Sequence, residues 1–546
     1  MKTLKIQLEE ILNKQVTKLW PLSLPKVKIE VERPKEERFG DYSSSLAMQL
    51  APLLEKNSME IGHQLIKGAV WPKAINKAMI VAPGFINFYL SADWLRRQAS
   101  LNLKNKKFGQ LQAGKGQKIQ VEFVSANPTG PLHLGNGRGA FTGDTLARVL
   151  TAAGYKVRRE YYINDMGNQI ETLAESVRIR FFQQQGIKLD YPDNCYKGEY
   201  VSDLARKLKS VNNYKLKNIG QVREKIKSRV LKLMLEDIEK LLAKRLKIKY
   251  DRWFYESELY GKGLPEKVMA LLKEKKLLYR QDEAIFLKTT LYGDDKDRVL
   301  VKKDGEPTYF LSDIAYHYDK LSVRKFDRVI DIWGADHHGY QGRMQAALRA
   351  LGFENKLDII IYQLVKLKKD GVEVKMSKRA GTFVTLDELI DDVGSDVARF
   401  FFLMYAAGTH MDFDLNLAKE KSEKNPVYYV QYAHARICSI IKKAAKMLRN
   451  KKIFDPEKLN KKEELDLVKE ILKLPELIEE ISRSYEVHKL SFYAQNLAIK
   501  FHDFYNVCRV IDNGKLKIRR FELIKLTKFA LMKVLALMGI SAPERM

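Results

Sequence analysis

The residues best suited to chemistry lie between Val121 and Ala140, in VEFVSANPTGPLHLGNGRGA. Alternating apolar residues at Val121 and Phe123 begin the stretch as a short strand, which breaks at Asn127, Pro128, Thr129, Gly130 and Pro131. The chain then restarts as a helix with Gly135, Gly137 and Gly139 at its mouth. A strand, a Pro/Gly turn and a glycine-rich helix start together make a phosphate site, because unpaired backbone N–H groups and the positive helix end face the ligand. Small residues let a nucleotide come close to the backbone. His133, just before the glycines, is placed to donate to a phosphate oxygen. The same three glycines would also serve close packing with no ligand at all.

A second group of cations occurs in KDGVEVKMSKRAGTF, after a strand expected at Asp358–Leu367. Lys375, Lys378 and Arg379 alternate there with small residues on a glycine-containing loop. Mobile cations suit a migrating phosphate charge better than a fixed salt bridge does. WGADHHGY sets His337 and His338 beside Asp336. Adjacent residues point in different directions and no third ligand follows at a helical offset, so no metal site is expected.

From Ile119 the pattern alternates strand and helix, which predicts a parallel sheet. A helix over Asp144–Ala153 ends at Gly154, and Val157–Ile163 is the next strand. It runs into NDMGNQI, a polar loop at the strand end where open α/β sheets bind ligands. Residues from about 171 to 300 read as helical and charged, with an insertion around Asp190–Gly220, and the sheet pattern returns at Thr308–Phe310 and Val329–Ile332.

Residues 1–108 read as a separate small α+β module. It has an amphipathic helix (Leu4, Ile6, Leu8, Ile11, Leu12), a strand at Val27–Val31, a turn and helix in FGDYSSSLAMQLA, and a strand pair at Met79–Val81 and Phe85–Leu90. The Lys- and Gly-rich run 104–118 is the linker candidate before a catalytic domain over 109–420. In residues 421–546 glycines nearly vanish, and the apolar spacing in Leu465–Ile481 and Phe521–Leu537 predicts a helix bundle.

Lysine and arginine total 97 against 68 acidic residues, a net charge of +29. Such an excess points to a polyanionic partner, most often nucleic acid, or to a generally lysine-rich proteome. Residues 421–546 carry 26 lysines and arginines against 15 acidic residues, net +11. There Tyr428, Tyr429, Tyr432, His434 and Arg436 interleave rings and cations, as on surfaces that stack unpaired bases. The alternative is that these tyrosines are core residues with polar tips, which is expected of at least one of them. Cys195, Cys438 and Cys508 are far apart, so neither a disulfide framework nor a zinc knuckle is indicated. With no apolar run of about 18 residues and with Glu9 and Glu10 in an amphipathic N-terminus, neither a membrane span nor a signal peptide is expected. A soluble, cytoplasmic protein is the expectation.

HLGN at 133–136 and KMSKR at 375–379 resemble the two signature motifs, HIGH and KMSKS, of class I aminoacyl-tRNA synthetases. Their order, their separation and the basic helical tail behind them strengthen the match. VEFVSANPTGPLHLGN, YYINDMGNQI, YFLSDIAYH, WGADHHGY, VKMSKRAGTFVTLDELI, NPVYYVQYAHARI and GISAPERM narrow it further, and the chain looks like the arginyl-tRNA synthetase family over essentially its whole length.

The resemblance implies an α/β fold: a Rossmann-type parallel-sheet catalytic domain with insertions, an N-terminal module touching the tRNA elbow, and an all-α anticodon-binding domain. The implied reaction joins L-arginine to ATP, with Mg2+, as arginyl-adenylate. It then loads the terminal adenosine of tRNA(Arg), usually at the 2′ hydroxyl in class I enzymes. A monomer with no membrane partner and no editing domain is expected. By similarity the ATP contacts are His133, Gly135, Asn136, Gly334, Asp336, Met376, Ser377 and Lys378, with Lys375 and Lys378 neutralising the departing pyrophosphate. Glu122 and Asn127 lie at the substrate's α-amino end, and Tyr309 and Asp313, one helical turn apart, face the guanidinium. The division of roles between Glu122 and Asp165 stays open. Tyr428, Tyr432 and Arg436 contact tRNA. One departure is Asn136, where the family's first motif usually has its second histidine: an amide can donate but cannot carry charge. The rival readings are an RNA-binding protein built on a decayed synthetase, another class I synthetase, or a small nucleotidylyltransferase.

Overall fold

The computed structural model describes residues 3–21, 25, 27–209, 219–374, 384–449, 453–454 and 458–546. In the N-terminal module the helix Leu4–Leu19 lays Leu4, Leu8 and Leu12, a helical turn apart, against an antiparallel sheet of Tyr42–Ser44, Phe85–Leu90 and Ile75–Val81. The strand expected at Val27–Val31 does not form. Val31 reaches the core, but backbone pairing is confined to a bridge between Glu32 and Ser43. Residues 104–118 are packed rather than free: Phe108 is buried against Phe529, and the Leu111 amide donates to the Ala152 carbonyl (2.7 Å).

The central sheet is built from β1 (Lys118–Glu122), then helix α1 (Leu134–Ala152), β2 (Lys156–Ile163) and β3 (Arg252–Tyr255). Helix α2 (Tyr309–Tyr318), β4 (Arg328–Gly334) and β5 (Leu357–Tyr362) complete it. All five strands are parallel, in the order β5–β4–β1–β2–β3.

Three expectations fail here. The 171–300 region is not simply helical: it holds β3 and an antiparallel sheet of Leu278–Gln281, Ala284–Leu287 and Arg298–Val301. Thr308–Phe310 is a helix start, because Phe310, Leu311 and Ile314 bury one helical face. The strand expected over Asp358–Leu367 breaks after Tyr362, and Val365–Lys369 pairs instead with Met411–Asp414.

The C-terminal bundle comprises α3 (Pro426–Arg449), α4 (Lys462–Ser484), α5 (Lys489–Val507) and α6 (Ile518–Met538). Its apolar residues and those of the central sheet form one continuous core that includes Phe141, Phe402, Val427, Leu474 and Leu535. Buried Arg399 pins the joint, donating to Asp144 on α1 (2.6 Å) and to the carbonyls of Met538 (2.8 Å) and Leu246 (3.0 Å).

The N-terminal module docks on this bundle. Arg33 and Tyr42 share Glu476, at 2.8 and 2.5 Å. Hydrogen bonds from Lys500 and Lys462 hold the Glu37 carboxyl down at about 2.

Candidate active site

The strand order reverses between β1 and β4, and in open α/β sheets ligands bind beyond the carboxyl ends of the strands at such a point. A cleft of about 1120 Å³ opens there. Glu122, Asn127, His133, Gly135 and Asn136 line it from the β1–α1 connection, and Asp313, Gly334, Asp336 and Tyr340 from the other side.

His133 caps α1. Its Nδ1 accepts the Gly135 amide (3.1 Å), while its own amide donates to Asn136 Oδ1 (3.0 Å). Asn136 therefore serves the helix start reciprocally, using the oxygen that a histidine would lack. Of the three glycines only Gly135 borders the cleft. The other two serve close packing: a Cβ at Gly137 would stand 2.8 Å from Leu386, and one at Gly139 2.9 Å from Tyr362. Just before the cap, Val124 (φ 70°) and Ser125 (φ 38°) are held in the left-handed region, which costs a branched residue about 1–3 kcal/mol. That bend turns the Ser125 hydroxyl back onto Glu122 Oε1 (2.9 Å).

Beneath the cleft the sheet carries charge. Lys320 Nζ donates to Glu122 Oε2 (2.6 Å) and Asp331 Oδ1 (3.0 Å). His317 Nε2 meets Asp331 Oδ2 (2.8 Å), and its Nδ1 donates to the Asp313 carbonyl (2.7 Å). Burial, and after it the charge of Asp331, raises the Glu122 carboxyl against the pull of Lys320. Burial also acts against charge on Lys320, but Asp331 and Glu122 outweigh it and hold the ammonium above its ordinary value.

Asp313 receives the Tyr340 hydroxyl at the cleft bottom, and burial raises its carboxyl despite that bond. Tyr340 also borders an adjoining cleft, where Glu256, Ser312 and Tyr309 face inward. Glu256 is buried, and its carboxyl is pushed up to about 7, first by burial and then by the charge of Asp313. Tyr309 stands on this second side with its ring 66% exposed, so it and Asp313 share a helix but not one cavity wall. Asn127 is exposed and donates to Gln169 (2.7 Å). Asp165 holds the Ser257 amide (3.0 Å) and hydroxyl (2.6 Å), which fixes the residue beside Glu256.

Lys375, Met376, Ser377, Lys378 and Arg379 lie outside the described residues. The chain just after them is anchored at the cradle: Thr385 bridges His133, and the Leu386 amide donates to the Leu132 carbonyl (2.8 Å). Among the described residues no cluster of three or more His, Cys, Asp or Glu is arranged to hold a metal. His337 meets Asp336 (3.4 Å) and otherwise lies against the rings of Trp333 and Tyr340. No helix among them is long and apolar enough to cross a membrane.

On α3, Tyr428 stacks on Tyr432 (6.2 Å, 8°), and His502 of α5 stacks on Tyr432 as well (6.3 Å, 15°). Arg436 bonds the Tyr432 hydroxyl (3.2 Å) and lies over Tyr505 (5.1 Å). His434 is not part of this surface, being buried with Nδ1 on the Pro543 carbonyl (2.8 Å).

Comparison with known proteins matches three family models in succession. Residues 4–90 fit the arginyl-tRNA synthetase N-terminal domain, 98–400 the catalytic domain of class I (R) tRNA synthetases, and 430–546 the DALR anticodon binding domain. An arginine–tRNA ligase of Dehalococcoides mccartyi is 43% identical over 95% of this chain and 94% of its own length. One from Bacillus subtilis is 44% identical, with the same coverage of both chains. The arginyl-tRNA synthetase structure of Thermus thermophilus, 23% identical, shares the fold over the whole of both chains with a TM-score of 0.78. Three consecutive domain matches and this degree of identity over nearly the full length place the chain in the arginyl-tRNA synthetase family.

Proposed function

We propose that the cleft activates arginine with ATP as arginyl-adenylate and passes the arginyl group to the terminal adenosine of tRNA(Arg). The observation that carries this reading is a pair of carboxylates, Asp313 and Glu256, beside a helix N-terminus suited to phosphate. Burial raises both carboxyls and the charge of Asp313 raises Glu256 further, so the site calls for a cation, and a planar guanidinium with paired donors supplies one.

The amides at the start of α1 and His133 hold the triphosphate. The arginine carboxylate attacks the α-phosphate and pyrophosphate leaves toward Lys375 and Lys378, a role supported by the anchoring of Thr385 and Leu386 at His133 and Leu132. Gly334 and Asp336 border the nucleotide side. Glu122 and Asn127 take the α-amino end and Tyr309 covers the guanidinium side. The described residues offer no protein cage for Mg2+, a hard cation that phosphate oxygens hold well, so no step here is routed through the ion.

The stacked face of α3, with Tyr428, Tyr432 and Arg436, suits unpaired anticodon bases. The N-terminal module suits the tRNA elbow through a pocket of about 300 Å³ beside Asn87, whose buried side-chain nitrogen has no partner among the described residues. Aminoacylation of total tRNA with each amino acid in turn tests the whole reading: charging with arginine alone is expected, and equal charging with lysine would overturn it.

A further inference from the structure

Three carboxylates stand in one row on the central sheet. Asp331, Glu122 and Glu160 are register partners across β4, β1 and β2. They are 1%, 8% and 1% exposed. Like charges directly opposite one another destabilise a sheet, and a buried carboxylate without a cation is costly. The compensating groups all come from α2, the turn that follows it and the residue after that turn. His317 serves Asp331 (2.8 Å), and Arg324 serves Glu160 (2.9 Å). Lys320, with no exposed surface, spans Glu122 and Asp331. It sits in a wide π-type turn, Asp319–Val323, an irregularity that collects at functional sites. Of the three acids, only Glu122 also lines the substrate cleft.

We propose that Lys320 is a positioning residue for the amino-acid substrate: its ammonium keeps the Glu122 carboxylate charged and aimed at the α-ammonium of arginine, without touching arginine itself. The inference rests on the reading of this cleft as an arginine site. The groups facing Glu122 set the charge argument. Asp331 and Glu160 flank it in the row, Asp313 belongs to α2, and the Tyr162, Tyr250 and Tyr316 hydroxyls are neutral. Among the cations, Lys320 is in contact, while His317 is bonded to Asp331 and Arg324 to Glu160. Burial already raises the Glu122 carboxyl, and Lys320 is the strongest influence lowering it. Without that ammonium the carboxyl takes up a proton nearer neutrality, and a neutral Glu122 no longer attracts an ammonium.

The test compares KM for arginine from about pH 6 to about pH 8.5 in wild type, K320M, K320R and the charge-balanced K320M/D331N, each as full chain with tRNA. Taking the ratio of variant to wild type cancels the titration of Glu256, which all share. The K320M ratio should grow as pH falls, approaching tenfold per unit, while K320R stays level and KM for ATP is unaffected in both. K320M/D331N should slope in the same direction, and it decides the matter if K320M does not fold. A level ratio in whichever methionine variant folds would overturn the role of Lys320. If Asp313→Asn is arginine-selective while that ratio is level, only the Lys320 inference falls. If Asp313→Asn affects arginine and ATP equally, the reading of the cleft falls first.

Discussion

The floor of the cleft and the outer face of the bundle handle charge in opposite ways. Under the cleft, Glu122, Asp331 and Lys320 are buried and matched one to another at fixed distances. On α3, Tyr432 is 37% exposed and Arg436 stands in solvent, held by Tyr432 and Tyr505. A contact between unit charges at 4 Å is worth about 1 kcal/mol in water and about 4 kcal/mol at the effective dielectric of a protein surface site. Buried charges can therefore discriminate one small cation from its rivals. Exposed ones bind a long polyanion by number, in a way that salt weakens. The difference teaches that one chain sets its charges to two purposes, matched by burial in one region and left to solvent in the other.

The sharpest way to break this contrast is Asp313→Asn. Loss of a desolvated charge facing guanidinium should raise KM for arginine about 10²–10³-fold, with KM for ATP nearly unchanged in steady-state charging assays. Next is Lys378→Ala, outside the described residues, which should slow adenylate formation about 10²-fold or more. Calorimetric arginine binding should survive it, since the charge it meets develops on pyrophosphate.

Third, the Glu256 carboxyl is raised to about 7, and its charged form is the one that attracts guanidinium. In the proposed site protonation would remove that attraction, so KM for arginine should rise as pH falls through about 7, by up to about tenfold per unit. Glu256→Gln should flatten this profile while raising KM at high pH.

Fourth, Tyr432→Ala should weaken tRNA binding by about 1–3 kcal/mol and leave the salt slope intact. Arg436→Ala should instead reduce that slope by about one. Filter binding over a salt series separates the two. The smallest effect belongs to Asn136→Ala, which removes half of a reciprocal cap and should lower stability by about 1 kcal/mol in thermal unfolding.

Deleting residues 421–546 cannot separate the two regions, because the bundle and the sheet share one core and Arg399 joins α1 to the end of α6. Point changes on the exposed face of α3 are the cleaner instrument.

What the sequence determined by itself is what neighbours along the chain decide. The glycine-rich start of α1, the Phe85–Leu90 hairpin strand and the helical repeat of α4 and α6 were all legible, since each depends on spacing within one or two turns. The hairpin at Gln281–Ala284 was hidden because Asp282 and Glu283 take the positive φ angles that glycine or asparagine usually signals. Only the tertiary structure decided that Asp331, Glu122 and Glu160 fall in one row. Register across strands is a property of three distant segments at once. The inward swing of Lys320 and the meeting of Glu256 with Asp313 likewise join residues that no local pattern relates. The free energy of a buried charge depends on what surrounds it, and that is set by packing.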